Sequence, residues 1–160
     1  MKTVRIGMIG AGQIAQRHLE EYRNIPGVEI VAICSGHRST AEAVAAKWGI
    51  PQVCEDHREI IARKDLDAVD VCVHNRLHAP IVIDALNAGQ NVYCEKPLSS
   101  SYADGKAMVE AAERNGKLLH IQLARLYWPE TRAAMRLVQG GALGDIYYAK
   151  AVGFRRRNRP

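Results

Sequence analysis

The stretch "VRIGMIGAGQIAQRH" (residues 4–18) decides the fold. Residues 4–10 form a short apolar run that stops at glycine, and "AQRHLEEYRN" beyond it has helical spacing. Between them stands "GAGQIA" (10–15), the pattern G-x-G-x-x-A, between a first strand and a first helix. Gly10 permits the tight turn, and Gly12 lets the backbone approach a pyrophosphate with no Cβ in the way. Ala15 keeps the helix close to the sheet, and the amides of Gln13 and Ile14 open a helix N-terminus with partial positive charge. A glycine pattern alone is weak evidence, but strand, turn and helix in this order are the context the motif requires. The expectation is a dinucleotide site.

Working outward, the same rhythm repeats. "VEIVAIC" (28–34), "QVC" (52–54), "AVDVCVH" (68–74), "NVYCE" (91–95) and "LLHIQL" (118–123) read as strands. Between them "STAEAVAAKWG" (39–49), "DHREIIARK" (56–64), "APIVIDALNAG" (79–89) and "YADGKAMVEAAERNG" (102–116) read as helices. Ser39 and Asp56 are candidate N-caps, and Gly49, Gly89 and Gly116 are stops. Alternation with short connections implies parallel strands, right-handed crossovers and helices on both faces, a doubly wound Rossmann sheet. This domain is expected over 1–123. The rhythm changes at "ARLYWP" (124–129), and Pro129 opens a last helix. "GDIYYAKAVGF" (144–154) alternates like the first strand of a second, α+β domain, so 124–160 is expected to connect to a substrate domain of which only the start is present.

Composition excludes several classes. Of 160 residues, 48% are hydrophobic and 24% charged, an ordinary globular balance for one domain with a real core. No apolar run approaches the roughly 18 residues that span a bilayer, and the chain enters its first strand without a secretion signal. Cys34, Cys54, Cys72 and Cys94 have no CxxC spacing and read as small buried hydrophobes in a reducing, cytoplasmic setting. The net charge of +5 reflects Arg38 and the closing "RRRNRP" as much as any face of the molecule. That tail lacks interleaved aromatics, so nucleic acid is not an expected partner.

The end of the second strand bears on the cofactor. About 20 residues past the glycine motif, an NAD-preferring site carries an acid for the adenine-ribose hydroxyls. Here Ser35 stands in that place, followed by Gly36, His37 and Arg38. A carboxylate repels a 2′-phosphate, whereas a hydroxyl and a guanidinium accept one. The expected cofactor is NADP, with NAD possible.

"CEKPLSS" (94–100) puts an acid and a base side by side at a strand end and stiffens the backbone at Pro97. Read with "NRLHA" at Asn75–Ala79, "ALNAGQNVYCEKPL" (85–98), "GMIGAGQIAQRH" (7–18) and "GGALGDI" (140–146), it resembles the Gfo/Idh/MocA oxidoreductases across essentially the whole chain. The resemblance implies an NAD(P)-dependent dehydrogenase acting on a sugar, polyol or related hydroxyl or keto compound. It implies that Lys96 relays the substrate's hydroxyl proton while a hydride passes to the nicotinamide, and that Glu95 contacts the nicotinamide ribose and positions the lysine. Asn75 and His78 match the segment against the nicotinamide half of the cofactor. It leaves the Lys96–Pro97 bond open between cis and trans, and implies a homo-oligomer in a full-length form.

Two departures stand out. His74 takes the place of a common proline, and "ARLYWP" replaces the usual asparagine-bearing stretch, with Arg125, Tyr127 and Trp128 either at a ligand mouth or packed. His74 and His78 share HxxxH spacing, but one ends a strand and the other opens a helix, so no metal is expected. The substrate-pocket residues of the family's second domain are not in this sequence. The chain is therefore expected to be the cofactor-binding part of an enzyme, against the alternative of a non-catalytic dinucleotide-binding or sensor module working with a partner chain.

Overall fold

Alternation along the first strands sorts the core into two layers. In β1 (Val4–Ile9) and β2 (Val28–Cys34), Met8 and Ile33 point to one face, and Ile9, Ala32 and Cys34 to the other. The first face is covered by α1 (Gln13–Tyr22) and α2 (Arg38–Trp48), through Ala15, Leu19, Ala41, Val44 and Ala45. The second face is covered by α3 (His57–Ala62), α4 (His78–Asn87) and α5 (Tyr102–Asn115), whose Ile60, Val82, Leu86 and Met108 are fully buried. Burying each such side chain stabilises the fold by roughly 1.5–3 kcal/mol.

The computed structural model describes residues 2–153. With β3 (Val53–Cys54), β4 (Ala68–Val71), β5 (Asn91–Cys94) and β6 (Leu119–Ile121), the strands form one sheet in the order β3-β2-β1-β4-β5-β6. Every pairing is parallel. This is the doubly wound Rossmann order, and its switch point lies between β1 and β4. All strands therefore present their carboxyl ends at one edge.

Local chemistry explains the helix boundaries. Asp56 caps α3 in a capping box: its side chain accepts from the Arg58 amide, and Glu59 reaches back to the Asp56 amide. Gly49 and Gly116 close α2 and α5 in left-handed conformation, as their positions in the sequence imply. The expectation at Ser39 is corrected: the N-cap position falls two residues earlier, at His37, which makes no side-chain cap, and α2 begins at Arg38. His37 is extended at φ −125° and ψ 112° and Arg38 is already helical, so Ser39 lies inside the first turn. The buried Gln90 amide closes the far end of α3 by donating to the carbonyls of Ile61 and Arg63 at 2.9 and 3.1 Å.

The chain divides into two units at Gln122 and Leu123. The second contains a 3-10 turn at Ala124–Tyr127 and α6 (Pro129–Gln139), with Pro129 in its first turn. Arg125 stacks its guanidinium 5.3 Å from the Trp128 ring centroid. The strand expected over 144–154 does not form in residues 144–153. Among the described residues no neighbouring strand accepts its backbone groups, and alternation without a ladder makes no sheet. Residue 154 and the arginines of the tail lie outside the described residues. Among the described residues, no helix is long and apolar enough to cross a membrane.

Candidate functional site

Gly10 leaves β1 with φ +108°, its amide bonded to the Cys34 carbonyl at 2.9 Å. A Cβ there would run into the Cys72 carbonyl, so only glycine makes this turn between two strand ends. Gly12 differs. It is the N-cap of α1 with φ −74°, and a Cβ there would meet nothing within 4 Å. The protein's own packing does not demand glycine at this position, and the backbone there is open to the close approach of a ligand. The first turn of α1, beginning at Gln13 and Ile14, carries no acidic residue and no side-chain cap. Its amides and partial positive charge are left for an anion, which fits the pyrophosphate of a dinucleotide.

At the end of β2, Ser35 is half-buried and Gly36, His37 and Arg38 are exposed. Arg38 is held by two carboxylates, Glu42 at 2.8 Å one turn along α2 and Glu55 at 2.6 Å beyond β3. Hydrogen bonding and charge from Glu42, then the charge of Glu55, raise its pKa above the ordinary arginine value. The cation expected to face a 2′-phosphate thus stands at this edge between two acids.

Across the switch point, Asn75 is exposed in a 3-10 turn at Asn75–Leu77. His78 is not: its ring is fully buried, with Nδ1 2.8 Å from the Pro97 carbonyl oxygen and Nε2 3.2 Å from that of Val73. The segment Asn75–Ala79, expected against the nicotinamide half of a cofactor, thus turns the His78 ring inward. The ring has no surface to offer, and it ties the start of α4 to the turn after β5. His74 is exposed, so the two histidines do not share a metal-binding face. In that turn the Lys96–Pro97 bond is cis, Lys96 is exposed, and its amide donates to Glu95 Oε2 at 2.9 Å.

Beneath Glu95 lies a network that sequence reasoning missed. His18, on the inward face of α1 with Ala15 and Leu19, sets Nδ1 2.8 Å from Asp70 Oδ2 and Nε2 3.3 Å from Glu95 Oε1. Asp70 is fully buried in the middle of β4 and also accepts from Tyr22 Oη at 2.8 Å and Cys72 Sγ at 3.3 Å. The signal for it was an aspartate inside the apolar run "AVDVCV". Burial works to lower the His18 pKa, but bonding and charge from Asp70 and then Glu95 prevail and hold it above the ordinary histidine value. Burial and Asp70 push the Tyr22 hydroxyl and the Cys72 thiol well up, so both stay protonated donors. The ligand atoms of His18, Asp70 and Cys72 lie within 4.8 Å of one another, but Asp70 already takes hydrogen bonds from the other two and the thiol keeps its proton. All four cysteines are free, and burial raises Cys34 and Cys94 to about 12.

Residues 4–123 match the family model described as "Oxidoreductase family, NAD-binding Rossmann fold" of the Gfo/Idh/MocA group. The chain is 35% identical over 156 residues to 4-carboxy-2-hydroxymuconate-6-semialdehyde dehydrogenase of Sphingobium sp., covering 97% of this chain and 50% of that protein. It is 34% identical to D-glucoside 3-dehydrogenase of Escherichia coli, over 96% of this chain and 44% of that protein. Among solved structures, a variant of a 3-ketoreductase from Actinomadura kijaniata, in complex with TDP-benzene and NADP, superposes with a TM-score of 0.81 at 31% identity, covering 91% of this chain and 45% of that one. The chain spans about half the length of the curated relatives it matches. With the doubly wound sheet, the open glycine turn and the Glu95–Lys96 turn at one edge, the chain belongs to the Gfo/Idh/MocA oxidoreductase family and carries its NAD-binding Rossmann fold.

Proposed function

We propose that this chain is the cofactor-binding part of an NAD(P)-dependent oxidoreductase acting on a sugar, polyol or related hydroxyl or keto compound. One observation carries the reading: an uncapped helix N-terminus behind the open Gly12 shares a sheet edge with the exposed Lys96. The D-glucoside dehydrogenase and 3-ketoreductase relatives support the substrate class. The four free thiols are in keeping with a cytoplasmic enzyme.

Gly10, Gly12 and the amides of Gln13 and Ile14 hold the pyrophosphate, and Ser35, His37 and Arg38 hold the adenine-ribose end. Asn75 and Glu95 orient the nicotinamide-ribose end, while His78 keeps the turn at Pro97 in place from within. When bound, the nicotinamide supplies the acceptor or donor of a hydride. Lys96 Nζ takes the proton of the substrate hydroxyl in the oxidising direction and returns it in the reverse. With Ser35 in place of an acid and Arg38 beside it, NADP is preferred and NAD accepted; Glu42 and Glu55 temper that preference by competing for the guanidinium.

Fluorescence titration of the chain with NADPH and NADH tests the reading. The expected result is binding of both, tighter for NADPH; binding of neither overturns it. Joined to a substrate domain, the chain is expected to support hydride transfer that Lys96→Met abolishes. Cofactor binding without turnover in that setting favours a non-catalytic sensor module instead.

A further inference from the structure

Resting on the reading that this edge holds a nicotinamide dinucleotide, we propose that His18 is a positioning residue for the reaction: gripped at Nδ1 by Asp70, its ring fixes the Glu95 carboxylate and, through it, the main chain at Lys96.

The geometry forms one continuous path. Asp70 Oδ2 meets His18 Nδ1 at 2.8 Å, His18 Nε2 meets Glu95 Oε1 at 3.3 Å, and Glu95 Oε2 takes the Lys96 amide at 2.9 Å. The path runs from the closed interior to the surface, with side-chain exposures of 0% for Asp70, 8% for His18 and 13% for Glu95. A neutral imidazole has one N–H, yet both ring nitrogens of His18 face carboxylate oxygens. Only the imidazolium donates to both.

The groups packed around the ring act in the same sense. Tyr22 and Cys72 both donate to Asp70, so that carboxylate is fully solvated by protein and remains a firm anchor. Tyr93, on β5, lies against the ring with centroids 5.4 Å apart and restrains its tilt. Asp70 and Glu95 are the carboxylates that face His18, from β4 and from the turn after β5. When the ring loses a proton, one carboxylate loses its donor. The Asp70 contact is the shorter and more sheltered, so Glu95 is the arm released. His18 thereby makes the order of the Glu95–Lys96 turn depend on pH, without touching cofactor or substrate.

Two variants separate positioning from mere packing. His18→Asn retains an amide near the Nδ1 position but no longer reaches Glu95. His18→Gln offers an amide near the Nε2 position, facing Glu95, and does not titrate. His18→Asn is expected to weaken NADPH and NADH about tenfold while leaving ADP-ribose, which lacks the nicotinamide, unchanged. His18→Gln is expected to restore most of that affinity and to remove its pH dependence. Equal loss of all three ligands, or loss of none, overturns the inference. A second arm needs no cofactor: the His18 ring is titrated by NMR in wild type and in Glu95→Gln, which is expected to lower its midpoint. A midpoint that Glu95→Gln does not move overturns the inference and leaves the functional reading intact. Absence of dinucleotide binding by the wild-type chain overturns the functional reading itself.

Discussion

His78 Nδ1 lies 2.8 Å from the carbonyl oxygen of Pro97, so the first residue of α4 holds the turn that carries Lys96. Two segments far apart in sequence are joined at the edge of the sheet by one buried ring. His78→Ala removes that tie and leaves a cavity, and is expected to lower the unfolding free energy by about 3 kcal/mol. Urea denaturation measures it. Nicotinamide dinucleotides should weaken more than ADP-ribose in the same variant, because the loosened turn lies at the proposed nicotinamide end.

The two glycines of the first turn separate stability from binding. Gly12→Ala enters open space at φ −74° and should change stability by no more than about 1 kcal/mol, yet weaken NADPH tenfold or more by blocking close approach. Gly10→Ala must accept φ +108° against the Cys72 carbonyl and should cost about 3 kcal/mol or more. Thermal unfolding and fluorescence titration, run on both variants, resolve the pattern. Equal effects of the two substitutions on binding and stability contradict it.

In the proposed site, cofactor choice turns on Arg38 and its two acids. Arg38→Ala should weaken NADPH about tenfold by removing a charge-assisted phosphate contact, with NADH changed by less than about twofold. Glu55→Gln should tighten NADPH by a few-fold, since it frees the guanidinium and removes a nearby negative charge. Paired dissociation constants for the two cofactors check both outcomes.

Stability should fall in two steps as pH rises. The folded state holds the His18 pKa above its unfolded value of about 6.5, so between the two values the folded state binds the extra proton. The stabilisation is complete below pH about 6.5 and is lost as pH climbs through the folded value. His18→Gln should lack this step. Above pH about 8.5, unfolded thiols ionise, whereas burial holds Cys34 and Cys94 protonated up to about 12, and stability falls again. Unfolding free energies from urea titrations across neutral and alkaline pH follow both steps.

The strands and most helix ends were legible because their signals are local. A β-branched run, a capping aspartate at Asp56 or a left-handed glycine at Gly49 acts within a few residues of itself. The start of α2 and the fate of residues 144–153 were not, for opposite reasons. The first has no side-chain cap at His37 to mark it, while the serine two residues on carries a capping signal that the helix does not use. The second turned on a partner strand, which an alternating pattern requires and cannot supply.

By itself, the sequence determined the α/β alternation, the glycine turn and the presence of an acid and a base before Pro97. All of these follow from steric and hydrophobic periodicities that operate along the chain. Only the tertiary structure decided that His78 is a buried tie, and that Asp70, His18 and Glu95 form one chain of contacts. His18 and Asp70 are 52 residues apart, and they meet because β4 pairs beside β1 with Asp70 opposite Met8, on the face that α1 covers. Strand order and register are set by packing across the sheet, and that packing turns two unremarked polar residues into the support beneath Lys96.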